Sequence, residues 1–309
     1  MATFTQTIDP EIIRGNTILI TGGTGFIGQH LVKTLSKCCD MIVLSRKGKL
    51  SGVTTVNIDL TNGDAVRNGL KPYPVDLVFH VAGNTITPNH RNDLDHFSVN
   101  AIGTKNLLDV CRQKDVRQIV YSSSMEVYGQ AQYVPVSETH PKVPETYYGM
   151  SKLMGELYCK EYARSYGINS TILRYSYVYG PGLPEFRVIS RFIRNVIEGY
   201  PLHLFDGGKK TTDFVFVKDI VTANILSVTN KNVINEEYNI GSGTSTSIED
   251  IAKCIIKIMG TGNILYDPDE KTTPNKFIFD ISKARNQMNF IPAFSLGEGL
   301  KEQINYMSA

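Results

Sequence analysis

Tyr148 and Lys152 stand four residues apart in TYYGMSK, at the start of a stretch whose apolar spacing suits a helix. Positions i and i+4 share a helix face, so a phenol and an ammonium can address one ligand. A tyrosine hydroxyl ionises near ~10, and bringing it to neutrality requires about 4 kcal/mol of preferential phenolate stabilisation. A neighbouring ammonium supplies part of that, and the pair then reads as a general acid/base. Ser124, in YSSSMEVYG, lies 24 residues upstream behind an apolar run, where its hydroxyl can bond the same reacting oxygen. Glu126 adds a carboxylate that can act as a base or as a positioning group.

A second group is built from glycines. Residues 17–28 read TILITGGTGFIG: an apolar run, then Gly22, Gly25 and Gly28, then an amphipathic stretch. Glycines allow a tight turn and close backbone approach, and the following helix N-terminus offers free N–H groups to a pyrophosphate. Strand, glycine turn and helix in that order point to a dinucleotide. The glycines stand three apart, unlike the commoner GxGxxG spacing. The second strand should end about 20 residues past the turn, at the ribose. There the chain reads VLSRKGK, with no carboxylate to accept from a 2′-hydroxyl. Ser45, Arg46 and Lys47 can instead hold a 2′-phosphate, which favours NADP over NAD.

These groups need a scaffold. Short apolar runs at 16–20, 41–44, 55–58, 77–81, 118–121 and 170–173 read as strands, and 26–36, 96–112 and 148–166 as helices. The alternation predicts an α/β fold with a parallel sheet covered by helices on both faces. After about residue 180 the rhythm shortens. Helices are expected at 188–198, 248–259 and 296–306, with an apolar run at 214–217, which suggests a smaller C-terminal α/β lobe.

Composition narrows the function. The chain has 309 residues, 41% hydrophobic and 20% charged, which excludes a disordered protein. With 32 basic and 30 acidic residues the net charge is +2, too balanced for a nucleic-acid or anionic-membrane surface. No apolar stretch approaches the ~20 residues of a membrane span. The polar start MATFTQTIDPEIIRG reads as a short leader and not as a secretory signal. Five cysteines without a CxxC pair suit a reduced, cytoplasmic protein. Six histidines without HxxxH or HExxH spacing imply no metal site.

The motifs together resemble the extended short-chain dehydrogenases/reductases of the NAD-dependent epimerase/dehydratase (nucleotide-sugar) family. The likeness runs through TGGTGFIG, HVAG (80–83), VNAIGTKNLL (99–108), SSSMEVYG (122–129), YYGMSK (147–152), LRYSYVYGPG (173–182), DFVFVKD (213–219), YNIGSG (238–243) and GLKEQINY (299–306). It implies a Rossmann-type doubly wound domain over residues 1–175, rejoined by segments around 213–243, and a substrate lobe over 176–309. It implies a nucleoside-diphosphate sugar as substrate, with Tyr148 as acid/base at C4. Lys152 would hold the nicotinamide ribose and Ser124 the reacting oxygen. Gly22, Phe26, Ile27, Val81, Ala82, Gly83, Asn100, Ser122 and Tyr175 fall at the family's cofactor contacts, and Asp59 and Leu60 at its adenine border. Asn84, Thr85, Ser124 and Tyr177 fall on the substrate side. A homodimer through a four-helix bundle is implied as well.

Departures from the family pattern set the expected reaction. Met125 stands where 4,6-dehydratases carry an acid. Ser176 and Tyr177 replace the usual Phe and Asn, and Thr212 replaces an arginine that holds the diphosphate. Lys209, Lys210 or Arg191 is expected to take over that charge as a substitute. With Arg46 at the ribose, the leading expectation is NADPH-dependent reduction of a 4-keto-6-deoxy sugar nucleotide. A 4-epimerase is the alternative, and a dehydratase or decarboxylase using Glu126 a second. A non-catalytic NAD(P) sensor would have no need of Ser124, Tyr148 and Lys152 together.

Overall fold

The computed structural model describes residues 10–85, 93–267 and 276–309. The expected leader and His90 lie largely or wholly outside these residues. Seven parallel strands form one sheet: β1 (Thr17–Thr21), β2 (Asp40–Ser45), β3 (Thr54–Asn57), β4 (Leu77–His80), β5 (Gln118–Ser124), β6 (Ser170–Tyr175) and, from later in the chain, β10 (Glu237–Ile240). Their spatial order is β10-β6-β5-β4-β1-β2-β3, so the direction of winding reverses between β1 and β4. Continuous apolar runs such as Ile18, Leu19 and Ile20 are buried on both faces, as a parallel sheet under two helical layers requires. The doubly wound α/β fold expected from the sequence is the fold observed.

One face packs α1 (Phe26–Leu35) and α7 (Val217–Thr229); the other packs α2 (Gly63–Leu70), α4 (Gly103–Gln113) and α5 (Tyr147–Tyr166). Two of these helices were not expected. In α2 only Val66 and Leu70 are buried, too few to display a period. In α7 apolar residues lie on every side, which erases it. The helix expected at 96–112 is broken into α3 (Asp93–Phe97), a π-turn over Ser98–Ile102 and α4. The π-turn centres on buried Asn100, whose amide donates to the Asn84 carbonyl at 3.0 Å and the Ser151 hydroxyl at 2.9 Å. That cross-link ties the π-turn to α5.

The smaller lobe places β7 (Tyr177–Tyr179), β9 (Thr211–Phe216) and β11 (Ser245–Ser247) in one sheet, and pairs β8 (Leu202–Phe205) with β12 (Ile264–Asp267). Helices α6 (Val188–Glu198), α8 (Ile248–Met259) and α10 (Leu296–Ser308) bury Phe192, Ile251 and Leu300 against these strands, while α9 (Ser282–Met288) packs beside β10. Asp213 locks the lobe to the main sheet. This buried carboxylate accepts from the Ser242 N–H and hydroxyl, both at 2.7 Å, and from the Gly243 N–H at 3.0 Å.

The position of α5 matters most for the site. Thr146 caps it, accepting from the Gly149 N–H at 3.0 Å, and Gly167 ends it in the left-handed region. Gly155 lets the helix lie against β5, because a Cβ there would run into the Tyr121 hydroxyl and ring. Gly155→Ala should therefore destabilise the fold by about 1–3 kcal/mol. Urea unfolding measures this, and an unchanged midpoint would show that the helix is not seated this way.

Candidate active site

A cavity of 950 Å³ opens at the C-terminal ends of the strands, at the β1/β4 switch point, and is bordered by Tyr177, Leu183 and Arg187 of the smaller lobe. Its floor on one side is the glycine turn. Gly22 adopts φ +71°, and a Cβ there would meet the Ala82 Cα and N at 2.7 Å, so the turn closes directly onto the end of β4. Gly22, Gly25, Phe26, Ile27 and Gly28 line the wall together with Val81, Ala82 and Gly83. A backbone cradle this bare at a helix N-terminus fits a pyrophosphate. Asp59 and Leu60 line the far end, with Asp59 held by the Thr61 N–H at 2.9 Å.

Ser45, Arg46 and Lys47 also line the cavity. Ser45 is buried and engaged: it shares a hydrogen bond with Thr24 at 2.9 Å and donates to the Lys47 carbonyl at 2.7 Å. Arg46 and Lys47 are exposed on the loop that follows.

At the other end, Ser124 closes β5 and Tyr148 opens α5. Both line the cavity, and the Ser124 side chain opposes the rise in the Tyr148 phenol's pKa. The Tyr148 ring packs edge-on against His96, with centroids 5.9 Å apart. Burial pushes the Tyr148 phenol up to about 12, and the Glu126 carboxylate acts the same way, while Ser124 and Arg187 work in the opposite direction. Lys152 lies beneath the wall, not in it. It is 3% exposed, its ammonium sits 4.3 Å from the centre of the Tyr121 ring, and burial lowers it to about 8. The protein's own charges thus leave the phenol well above neutrality. Desolvation dominates for the phenol, and Lys152 is not among the groups that offset it.

The layer below is linked by side-chain hydrogen bonds. Ser122 and Asn224 both bond the Tyr175 hydroxyl, at 3.0 and 2.9 Å. His80 bridges Thr21 at 2.6 Å and Thr104 at 2.9 Å, fastening β1 and β4 to α4. Burial, with a smaller push from Lys152, lowers this imidazole to about 3. Asn100 and Ser122 are therefore supports under the wall, and Asn84 is tied to Asn100 through an N–H bond of 2.7 Å.

The substrate side is only partly as expected. Tyr177 and Thr85 line the cavity, as does Glu126, whose carboxylate accepts from the Thr146 hydroxyl at 3.2 Å. Arg191, Lys209 and Lys210 are exposed and do not line it: Arg191 lies one turn too far along α6, and the lysines follow the turn at Asp206–Gly208. Arg187 lines it instead. It is the N-cap residue of α6, with its guanidinium 5.9 Å from the Tyr177 ring centre and 5.0 Å from that of Phe186. The sequence signal for it was its place just before a helix, behind the loop GPGLPEF.

A sequence profile of the NAD dependent epimerase/dehydratase family matches residues 18–241. The chain belongs to that family. It is 36% identical over 303 residues to a Methanocaldococcus jannaschii protein provisionally named a UDP-glucose 4-epimerase, covering 94% of this chain and 98% of the relative. It is 30% identical to UDP-glucuronic acid decarboxylase 1 of Xenopus tropicalis, covering 94% and 71%. The crystal structure of a UDP-glucose 4-epimerase from Thermotoga maritima, with UDP-glucose, superposes with a TM-score of 0.87 at 31% identity, covering 94% and 98%. No helix among the described residues is long and apolar enough to cross a membrane.

The support layer yields a direct prediction. Because burial holds His80 neutral, its ring should show no protonation between about pH 5 and pH 8 in histidine NMR titrations. A midpoint near the ordinary value of 6.5 would contradict the buried Thr21–His80–Thr104 bridge.

Proposed function

We propose that this enzyme is a nucleotide-sugar 4-epimerase that uses NAD. The observation that carries the reading is that Ser124 and Tyr148 line the same cavity as the glycine turn. The phenolate of Tyr148 takes the proton of the sugar C4 hydroxyl, and Ser124 bonds the same oxygen as it becomes a carbonyl. The phenol returns the proton when the alcohol re-forms with the opposite configuration. NAD, when bound, supplies the hydride acceptor and then the donor, so no net redox change results. Gly22, Gly25, Phe26, Ile27 and Gly28 would hold its pyrophosphate, Asp59 and Leu60 its adenosine end, and Lys152 its nicotinamide ribose. Its positive ring is the further charge that would bring a phenol near 12 into a useful range.

Arg187 is proposed to meet the substrate diphosphate, and Tyr177 and Thr85 to contact the sugar nucleotide. In this reading residues 1–175, with β10, bind the dinucleotide, and most of 176–309 grips the sugar nucleotide. Arg46 and Lys47 are the basis for NADP and for a keto-sugar reductase. The relatives named above are an epimerase, a provisionally named epimerase and a decarboxylase, so epimerisation is the better supported reaction. A decarboxylase is the second reading, favoured by the Glu126 carboxylate in the cavity wall.

A homodimer is proposed through α3, the π-turn with α4, and α5. Leu94, Phe97, Met150 and Leu157 are exposed there, 74% in the case of Leu94. Leu157→Arg should convert a dimer into a monomer by light scattering, and a wild-type monomer would refute the interface.

Purified protein denatured and analysed for nucleotides should release NAD and not NADP. With UDP-glucose it should form the C4 epimer without net formation of NADH. Carbon dioxide released from UDP-glucuronic acid would favour the decarboxylase, and consumption of added NADPH with a 4-keto sugar nucleotide the reductase. Tyr148→Phe should retain NAD and lose about 10²–10⁴-fold in turnover. Full activity in that variant would remove the proposed acid/base.

A further inference from the structure

Glu156 lies one turn beyond Lys152 on α5, 1% exposed, and both of its carboxylate oxygens are hydrogen-bonded. One carboxylate oxygen accepts from the Ser123 hydroxyl at 2.6 Å and from the Arg174 Nε at 2.9 Å; the other accepts from an Arg174 terminal nitrogen at 2.7 Å. Arg174, on β6, is 0% exposed. Its second terminal nitrogen donates to the Tyr128 hydroxyl at 2.8 Å, and Tyr128 donates in turn to the Asn239 side-chain carbonyl at 2.7 Å. The chain therefore runs from α5 through β6 to β10, with a branch to Ser123, the residue immediately before Ser124 on β5.

We propose that Glu156 is a positioning residue for proton transfer: a buried carboxylate, clamped by Arg174 and Ser123, that keeps the Lys152 ammonium charged and in place beside the Tyr148 helix turn. Two observations meet here. Among the described residues no carboxylate forms an ion pair with Lys152 within hydrogen-bonding reach, and the ammonium rests on the Tyr121 ring. Glu156 is the anionic group one helical turn away, and it opposes the desolvation of Lys152. The other titratable groups facing Lys152 do not supply negative charge. From β4, His80 is neutral and cationic only below about 3; from β5, Tyr121 is held as a phenol far above its ordinary range; on α5, burial pushes the Cys159 thiol up and holds Tyr148 protonated. The same carboxylate fixes Ser123, so the strand end that presents Ser124 and the helix that presents Lys152 share one anchor.

The inference rests on the reading that Tyr148 and Lys152 form the proton-transfer pair, but its test needs no sugar. The lysine side-chain amines of isotope-labelled protein are titrated by NMR, with Lys152→Arg to assign the signal. Removing a negative charge next to a cation lowers its pKa. Glu156→Gln should thus move the Lys152 midpoint down from about 8 by about one pH unit, a tenfold loss of the charged form at a fixed pH above the midpoint. Glu156→Asp should recover most of the shift. Glu156→Gln leaves Arg174 without its partner and can unfold the protein, so the double variant Glu156→Gln with Arg174→Gln, which buries no lone charge, must still show a downward shift, smaller because the Arg174 cation is lost too. Tyr128→Phe loosens the far end of the network without changing charge and should leave Lys152 where it is. A Lys152 midpoint unmoved in the folded double variant, or moved equally by Tyr128→Phe, would overturn the proposal and reduce Glu156 to a packing element. Lack of epimerase activity in the wild type would bear on the proposed function and leave this result standing.

Discussion

The site is organised around a buried ammonium. Lys152 is nearly inaccessible to water, and removing an ammonium from solvent costs several kcal/mol unless fixed charges and dipoles offset it. The structure offsets only part of that cost, with the Tyr121 ring below and the Glu156 carboxylate one turn on, and the amine sits near 8 as a result. A second polar group, the Tyr148 phenol, is desolvated four residues away and is pushed in the direction of its neutral form. Both groups are thus held in an unfinished electrostatic state, which an anionic oxygen or a cationic ring entering the cavity can complete. Pre-arranged groups of this kind act on charge as it develops, because they need no reorganisation at that moment.

Rigid supports make that arrangement hold. Gly155 lets α5 lie against β5, Asn100 ties the π-turn to Ser151, and the His80 bridge locks the ends of β1 and β4 to α4. Each support joins an element carrying a wall residue to another element of the sheet or its helical layer. The Glu156–Arg174 pair does the same between α5 and β6, at the depth where a lone charge would be most costly. The two lobes then divide the cavity between them. The main sheet and α5 contribute the bare glycine turn, Ser124 and Tyr148, and the smaller lobe contributes Tyr177 and the Arg187 guanidinium.

Much of this was legible in the sequence because it is encoded locally. The spacing from Tyr148 to Lys152 is a helix property, and the strand–glycine turn–helix unit is contiguous, as are the apolar runs of the sheet. The doubly wound fold and the family followed from these. What was missed depends on partners distant in the chain. The π-turn at Asn100 is stabilised by Asn84 and Ser151, and no short-range period records that. Arg191, Lys209 and Lys210 carried the right charge, but α6 and the Asp206–Gly208 turn place them outside the cavity, while Arg187 faces it from one turn earlier. The state of the phenol in the free protein was not legible, because sequence shows the neighbouring cation and hides the desolvation that raises the phenol.

The central claim is that a phenol held protonated by burial is released by the dinucleotide that the glycine turn cradles. It is tested most directly by ultraviolet difference titration of Tyr148, using Tyr148→Phe as the blank, with and without saturating NAD. The account predicts a midpoint near 12 in the free protein and one lower by at least about two units with NAD bound, corresponding to roughly 3 kcal/mol of phenolate stabilisation. A Tyr148 midpoint that stays near 12 when NAD is bound would contradict it.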